Sequence, residues 1–170
     1  MFSVFFYSQE NIMQKDDLIM LDSPALSAAF PGKKTLERVF LGFLIAHTAA
    51  QLCGEYREEY WVGQDTPGQL TYLVPTSAAT YSVYLPDYGL RVTLSADAFG
   101  LAVTTAVYAR LAALDDPDKE AFRYDELREY GRQHPEAAPI HAVLALDAKT
   151  SDKRLSPALV RSVNNNNNHH

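Results

Sequence analysis

Cysteine is almost absent from this 170-residue chain, and its one occurrence, Cys53, excludes an internal disulfide framework. Cys53 follows an uncharged helical run, where a thiol is more often a core residue than a nucleophile. His134 and His141 lie seven residues apart without a cysteine or carboxylate at zinc-ligand spacing. The chain also has no glycine-rich phosphate loop and no G-x-S-x-G or H-E-x-x-H motif. The sequence therefore predicts no metal, no cofactor and no catalytic residue.

A basic patch is missing as well. The chain carries 15 Lys and Arg against 21 Asp and Glu, for a net charge of −6 and an isoelectric point near 5.3. The two signs are interleaved, so no basic stripe is available for nucleic acid, and we expect no direct binding to duplex DNA. A DNA mimic needs a dense carboxylate array to match about one charge per ~1.7 Å of duplex. The interleaved cations argue against that class too.

Apolar runs long enough to cross a membrane are absent. The uncharged stretch 39–53 is shorter than the ~20 residues that a spanning helix needs. The apolar start, Met1–Tyr7, has no basic residues before it and makes a poor secretory signal, so it is either an extra strand or an added segment. The end, 164–170, is typical of a linker and purification tag. These features predict a cytoplasmic protein without membrane contact.

One stretch organises the rest of the chain, from Leu94 to Gly100. It ends a strand and opens an apolar helix that is predicted to run to Leu114 and to be buried on most sides. Ser95 is a favourable N-cap, Asp97 lies in the first turn where a carboxylate suits the helix dipole, and Leu94 and Phe99 have the spacing of a hydrophobic staple.

The remaining pattern predicts an α+β fold. We expect one compact domain, in which a four-stranded antiparallel meander packs with about four helices. The strands are predicted at 59–64, 69–74, 80–85 and 90–95, and the main helices at 34–53, from the Ser95 N-cap to 114, at 118–133 and at 134–147. The domain organisation is then an N-terminal extension over 1–33, the α+β domain over 34–147, and a C-terminal tail over 148–170.

Candidate core positions follow from helical spacing. In the first main helix, Phe40, Phe43 and His47 share one face, and we expect His47 to be a core histidine. In the third, Phe122 and Leu127 are candidate buried residues. Aromatic residues also cluster in the strand region, where packing is the usual explanation and a recognition surface the alternative.

Three segments in family order resemble the ArdB/KlcA antirestriction proteins, which are encoded largely on plasmids and other mobile elements. They are Tyr60-Trp61 with the strand that ends at Pro75, then Leu94–Gly100, then Tyr124–Tyr130 followed by 134–140 (His-Pro-Glu-Ala-Ala-Pro-Ile). The resemblance covers roughly residues 36–146. The chain departs from the family in having Glu58-Glu59 in place of a Gly-Gly pair, and Ala145 in place of an acid, with Asp147 two residues later.

This resemblance implies a compact, non-enzymatic protein that inhibits type I restriction–modification in the bacterial cell. It implies as partner the restriction–modification complex or an associated host protein. The expected interaction surface consists of residues in the three segments: Tyr60, Trp61, Asp97, Tyr124, His134 and Glu136. Two alternatives stay open, an uncharacterised enzyme that uses the 134–141 region and a structural or regulatory module of a mobile element.

Overall fold

The structure is a computed structural model that describes residues 24–114 and 117–149. The predictions for Met1–Tyr7 and for the chain beyond residue 149 lie outside these residues. The elements, in chain order, are α1 (Pro24–Ala29), α2 (Thr35–Leu52), β1 (Trp61–Asp65), β2 (Thr71–Pro75), β3 (Thr80–Leu85), a 3-10 turn (Pro86–Tyr88), β4 (Leu90–Ser95), α3 (Ala96–Leu114), α4 (Pro117–Arg132) and α5 (137–149).

The predicted α+β class and its four antiparallel strands are confirmed. The strands, however, form two separate two-stranded sheets, β1–β2 and β3–β4, where the sequence predicted one four-stranded meander. Trp61 pairs with Pro75 at the open end of the first hairpin, and Thr80 pairs with Ser95 at that of the second.

Helix α3 explains why the two hairpins stay apart. The backbone N–H of Leu73 in β2 points away from β1 and donates to the Thr104 hydroxyl of α3 at 3.0 Å. A Cβ atom on Gly100 would stand 2.1 Å from the carbonyl oxygen of Leu73, so the helix backbone lies directly on this strand. Because α3 occupies the outer edge of β2, no third strand pairs there.

The core is built around α3. Along this helix, buried side chains lie on several faces, as predicted for an uncharged apolar segment. The β3–β4 hairpin covers it with one face only, since Tyr81, Val83 and Leu85 are buried while Ser82 and Tyr84 are exposed. Among the described residues, no helix has the length and apolar character needed to cross a membrane.

Two predictions of burial are wrong. His47 is exposed, and the same face of α2 exposes Phe40 and Phe43 at 50% and 55%. On α4, Phe122 is 63% exposed, although Leu127 is buried as predicted. In α2 the opposite face packs against the core and buries Leu41, Ile45 and Leu52.

Candidate functional site

The first turn of α3 is fixed by Ser95 and by a carboxylate from the far end of the chain. The Ser95 hydroxyl accepts the backbone N–H of Ala98 at 3.1 Å, which confirms Ser95 as the N-cap. Glu136, in the turn between α4 and α5, accepts the Ser95 backbone N–H at 2.9 Å and also the Ser95 hydroxyl. The two oxygens of Glu136 thus tie the turn before α5 to the start of α3.

Asp97 occupies the first turn of α3, as predicted, and receives two side-chain hydrogen bonds. The phenol of Tyr72, in β2, donates to Asp97 Oδ1 at 2.7 Å. The imidazole of His134 contacts Asp97 Oδ2 through Nε2 at 2.6 Å. The Asp97 side chain is still 42% exposed, whereas that of His134 is 8% exposed. The result is a carboxylate that faces solvent and is held in one orientation by two buried donors.

The tautomer of His134 follows from its second ring nitrogen. The backbone N–H of Glu136 donates to His134 Nδ1 at 3.0 Å, so Nδ1 carries a lone pair. The proton therefore sits on Nε2 and is donated to Asp97. Both ring nitrogens are used within the site, which leaves neither to act as a general base.

The chemistry available to the site is that of a preorganised acceptor. A carboxylate oxygen can accept more than one hydrogen bond, and each Asp97 oxygen has one side-chain donor among the residues that the structure describes. Burial, and next the hydrogen bond to Asp97, raise the pKa of Tyr72 far above its ordinary value, so its phenol stays a proton donor. Asp97 thus presents free lone pairs to a cation or an N–H group of a partner.

Three of the six predicted surface residues meet in this site: Asp97, His134 and Glu136. The other three lie elsewhere. Tyr60 is exposed just before β1, and Tyr124 is half-buried on α4, with the Arg128 guanidinium 5.9 Å from the centre of its ring.

Trp61 was wrongly predicted to be a surface residue. It is 1% exposed, because its ring packs against Phe99 in the core and its indole N–H donates to the Tyr56 hydroxyl. Burial of the indole, with its N–H satisfied, identifies Trp61 as a core residue.

Sequence reasoning missed Tyr72 and the bond between Ser95 and Glu136. Tyr72 is 25 residues from Asp97, and Ser95 is 41 residues from Glu136. No local spacing reports such contacts. The one available signal was Tyr72 itself. A tyrosine at a strand position that is predicted to be buried usually finds a hydrogen-bond partner for its hydroxyl.

Two acidic residues at departures from the resembled family, Glu59 and Asp147, have structural roles here. Glu59 accepts the backbone N–H groups of Thr76 and Ser77 at 2.8 and 2.7 Å and the hydroxyl of Tyr81 at 2.9 Å. It forms part of the wall of a cleft of about 320 Å³. This carboxylate orders the loop between the two hairpins.

Asp147, the later acid on α5, forms an ion pair with Arg110 of α3 at 3.1 Å. Arg110 also donates to Gln51 and Thr48 of α2. The pair is nearly buried, so it links three helices at the end of α3 far from Asp97.

The charge on the surface is mixed. Over residues 24–113 and 120–149, seven acidic and six basic residues are exposed: Glu55, Glu58, Asp65, Asp87, Asp125, Glu126 and Glu129 against Lys34, Arg57, Arg91, Arg128, Arg132 and Lys149. The similar numbers of exposed acidic and basic residues are incompatible with a continuous array of carboxylates that would match the phosphates of duplex DNA. Over the same ranges, no group of three or more His, Cys, Asp or Glu side chains is placed to hold a metal ion.

Comparison with known proteins gives concordant matches. A family model described as "Antirestriction protein" matches residues 54–146, which contain the whole Ser95–Asp97–Glu136 site. The antirestriction protein KlcA of Escherichia coli is 34% identical over 98 residues, which are 55% of this chain and 69% of the relative.

A solved structure gives a similar result. It comes from work on KlcA and ArdB, described as having a novel fold and antirestriction activity against type I DNA restriction systems in vivo but not in vitro. It is 29% identical, with a TM-score of 0.58, over 70% of this chain and 84% of that chain. The similarity therefore extends over the larger part of both molecules.

Proposed function

The chain belongs to the antirestriction protein family, and from this premise we propose that it inhibits type I restriction–modification in the bacterial cytoplasm and so protects incoming plasmid or phage DNA. The observation that carries the proposal is the family match over 54–146, supported by a relative and a solved structure of the same description.

Inhibition through a protein partner fits the chemistry of the site better than catalysis. His134 uses both ring nitrogens within the network, and Glu136 is bonded to the backbone and hydroxyl of Ser95. Neither residue is poised to move a proton to or from a substrate. The same site leaves one group open to solvent, the Asp97 carboxylate, and a fixed acceptor suits recognition because little side-chain freedom is lost on binding.

The protein partner is either the type I restriction–modification complex or an associated host protein. Solved relatives act in vivo but not in vitro. We carry this difference over to the present chain, and we propose that its activity needs a cellular component that a purified restriction enzyme lacks. The motif residues Tyr60, Asp97 and Tyr124, of which Tyr60 is exposed and the other two are half-buried, form the proposed contact surface. His134 and Glu136 position Asp97 and the turn beside it.

Different observations argue against two competing functions. A DNA mimic is disfavoured by the near-equal numbers of exposed acidic and basic residues among the side chains that the structure describes. An enzyme is disfavoured by the internal commitment of His134 and Glu136. A purely structural module remains, and it differs from the proposal in predicting no effect on restriction.

The test compares the effect of the protein on restriction in the cell with its effect on a purified restriction enzyme. Expression of the chain in a strain with a type I system should raise the plating of unmodified phage, while the purified protein should leave cleavage by a purified type I enzyme unchanged. Affinity capture from the restricting strain, with a non-restricting strain as control, then identifies the partner. Unchanged plating on hosts with several type I systems would contradict the proposed function and would favour a purely structural module.

A further inference from the structure

Strand β3 has an outer edge that no other strand among the described residues covers. Just before the β3–β4 ladder, the Ala96 backbone N–H donates to the Ala79 carbonyl at 2.9 Å, and this bond fixes which residues are hydrogen-bonded across the hairpin. Bonded and non-bonded pairs alternate along antiparallel strands. The backbone groups of every second β3 residue therefore point away from β4: Thr80, Ser82 and Tyr84.

The same alternation holds on β4. Ser95 is the partner of Thr80, and its N–H is directed away from β3 to the Glu136 carboxylate. On β3, no described residue bonds to the outward backbone groups of Thr80, Ser82 and Tyr84. A row of free N–H and C=O groups is the surface to which an extended peptide adds as a further strand.

The cleft of about 320 Å³ borders the first half of this edge. Its lining contains Thr80 and Ser82 of β3, the loop residues Ser77 and Ala78, and residues of the segment 53–59. Successive side chains of a strand point to opposite sides, so a strand added to β3 directs every second side chain to one side of the sheet. One such side chain can then enter the space that Glu59 lines.

The charge of the cleft selects the side chain that fits it. Glu59 Oε1 accepts two backbone N–H groups, from Thr76 and Ser77, at 2.8 and 2.7 Å. Its Oε2 shares the Tyr81 hydroxyl, which lies 2.9 Å from both oxygens. The half-buried carboxylate is therefore held in place, and Oε2 keeps lone pairs for a further donor. The lining holds two acidic residues and one basic residue, Arg57, so its net charge is −1.

We propose that the outer edge of β3 and this cleft bind an extended basic segment of a partner protein, which adds to β3 as a strand and places an arginine or lysine side chain against Glu59. The backbone groups supply contacts that any sequence can make, and the carboxylate supplies the preference for a basic side chain. This inference rests on the β3 edge and the cleft and not on the proposed function. Its test uses purified protein without a restriction assay, so the two can fail separately.

NMR titration of the full chain with a blocked pentapeptide, acetyl-Thr-Val-Arg-Val-Thr-amide, tests the proposal. The backbone amide signals of Thr80, Ser82 and Tyr84 should shift and saturate, and the same peptide with glutamate in place of arginine should not bind. Glu59→Gln keeps the shape of the side chain and an acceptor for the loop, and should weaken binding about tenfold through the loss of one charged contact. Glu58→Gln makes the same change at the adjacent exposed residue, which does not line the cleft, and should leave the affinity unchanged. A thermal melt checks that both variants are folded.

Methylation of the peptide backbone tests strand addition itself. Only alternate N–H groups of an added strand face β3, so methyl groups on one alternate set of peptide nitrogens should abolish binding, and methyl groups on the other set should preserve it. Equal effects of the two sets would overturn the proposal, as would the absence of saturable shifts on β3 or an affinity that Glu59→Gln leaves intact. Hydrogen exchange of the free chain adds a further check. A Ser82 amide that is protected without peptide would overturn the proposal too, because residues 1–23 or a second copy would then already cover the edge.

Discussion

Asp97 shows how a single side chain gains a fixed position from three distant elements. The carboxylate stands in the first turn of α3, the phenol that holds one oxygen comes from β2, and the imidazole that holds the other comes after α4. Each donor is itself constrained, Tyr72 by burial and His134 by the Glu136 backbone. An exposed carboxylate is normally mobile. These two donors hold the carboxylate of Asp97, a first-turn helix residue, in one orientation as a hydrogen-bond acceptor.

The Ser95 hydroxyl combines a helix cap with a bond to Glu136. Ser95→Ala removes the cap, which costs about 0.5–2 kcal/mol of unfolding free energy. It also leaves one oxygen of Glu136 without its donor, which brings the expected total to about 1–3 kcal/mol. Chemical denaturation measures the change, and Ser95→Thr, which keeps a hydroxyl, should lose less. Equal stability of the alanine variant and the parent would show that the cap is not energetically significant.

Buried tyrosines should make the protein sensitive to alkali. Burial is the main cause that raises the pKa of Tyr72, and the hydrogen bond to Asp97 adds to it. Burial raises the pKa of Tyr56 from 10.0 to about 12, although its bond to Trp61 opposes the shift. Above pH 10 the unfolded chain loses phenolic protons that the folded chain keeps, so the free energy of unfolding should fall as pH rises.

Denaturation curves at a series of pH values on both sides of 10 check this prediction. Full stability is expected below pH 10, with a progressive loss above it, towards the pKa of about 12 for Tyr56. Tyr72→Phe removes one contributor and should make the decline shallower. A free energy of unfolding that stays constant through pH 10–12 would mean that these phenols ionise alike in both states.

At the scale of elements, α3 and β2 approach each other closely at Gly100. Gly100→Ala places a methyl group 2.1 Å from the Leu73 carbonyl oxygen and 2.8 Å from the Val74 Cα, and both are backbone atoms that cannot move alone. We expect a loss of about 1–3 kcal/mol or more, the cost of overpacking a core. Gly54→Ala, where nothing lies within 4 Å, is the matched control and should be close to neutral in a thermal melt. Equal melting of both variants would contradict the close approach.

Thr104 provides the polar half of the same contact. Thr104→Val keeps the shape of the side chain but leaves the buried backbone N–H of Leu73 without an acceptor. The expected cost is about 1–3 kcal/mol. Thr105→Val is the control on the adjacent residue, because the Thr105 hydroxyl donates to the α3 carbonyl of Leu101, which also accepts a hydrogen bond within the helix. A smaller loss for Thr104→Val than for Thr105→Val would refute the proposed role.

Most element boundaries could be predicted because their signals are local. Ser95 and the uncharged run after it define α3, and the alternation of Tyr81, Val83 and Leu85 defines β3 and its buried face. The separation of the strands into two hairpins could not be predicted. It depends on Gly100 and Thr104, two ordinary helix residues, meeting the edge of a strand about 30 residues earlier.

The candidate site was predictable in part for the same reason. The motifs identified Asp97, His134 and Glu136 singly, but only their packing brings them together with Tyr72. The core assignment of His47 failed because helical spacing shows that residues share a face, not which face is covered. The surface assignment of Trp61 failed because membership of a motif does not show whether a side chain is buried. For α2, the covered face is that of Leu41 and Ile45.

At the scale of the whole molecule, surface charge separates the possible modes of action. The near-balance of exposed acidic and basic residues over the part of the chain whose burial is described, with a net charge of −6 for the full sequence, predicts no binding to duplex DNA at physiological salt. An electrophoretic mobility shift assay with unrelated duplexes should show free DNA only. A shifted band whose affinity falls steeply with salt would reveal phosphate contacts and would contradict a mode of action through protein contact alone.

Plating of unmodified phage on a type I restricting host tests the central claim most directly, with the parent, Asp97→Asn and Asp87→Asn expressed to the same level. Asp97→Asn keeps the shape of the side chain and removes the charge of the oriented acceptor, whereas Asp87→Asn makes the same change at an exposed residue of the 3-10 turn. We predict that the parent and Asp87→Asn raise plating to similar values, and that Asp97→Asn, folded and equally abundant, raises it at least about tenfold less, as expected for the loss of one charged contact. Equal protection by all three proteins would contradict the role of Asp97, and the absence of protection by the parent would contradict the antirestriction function itself.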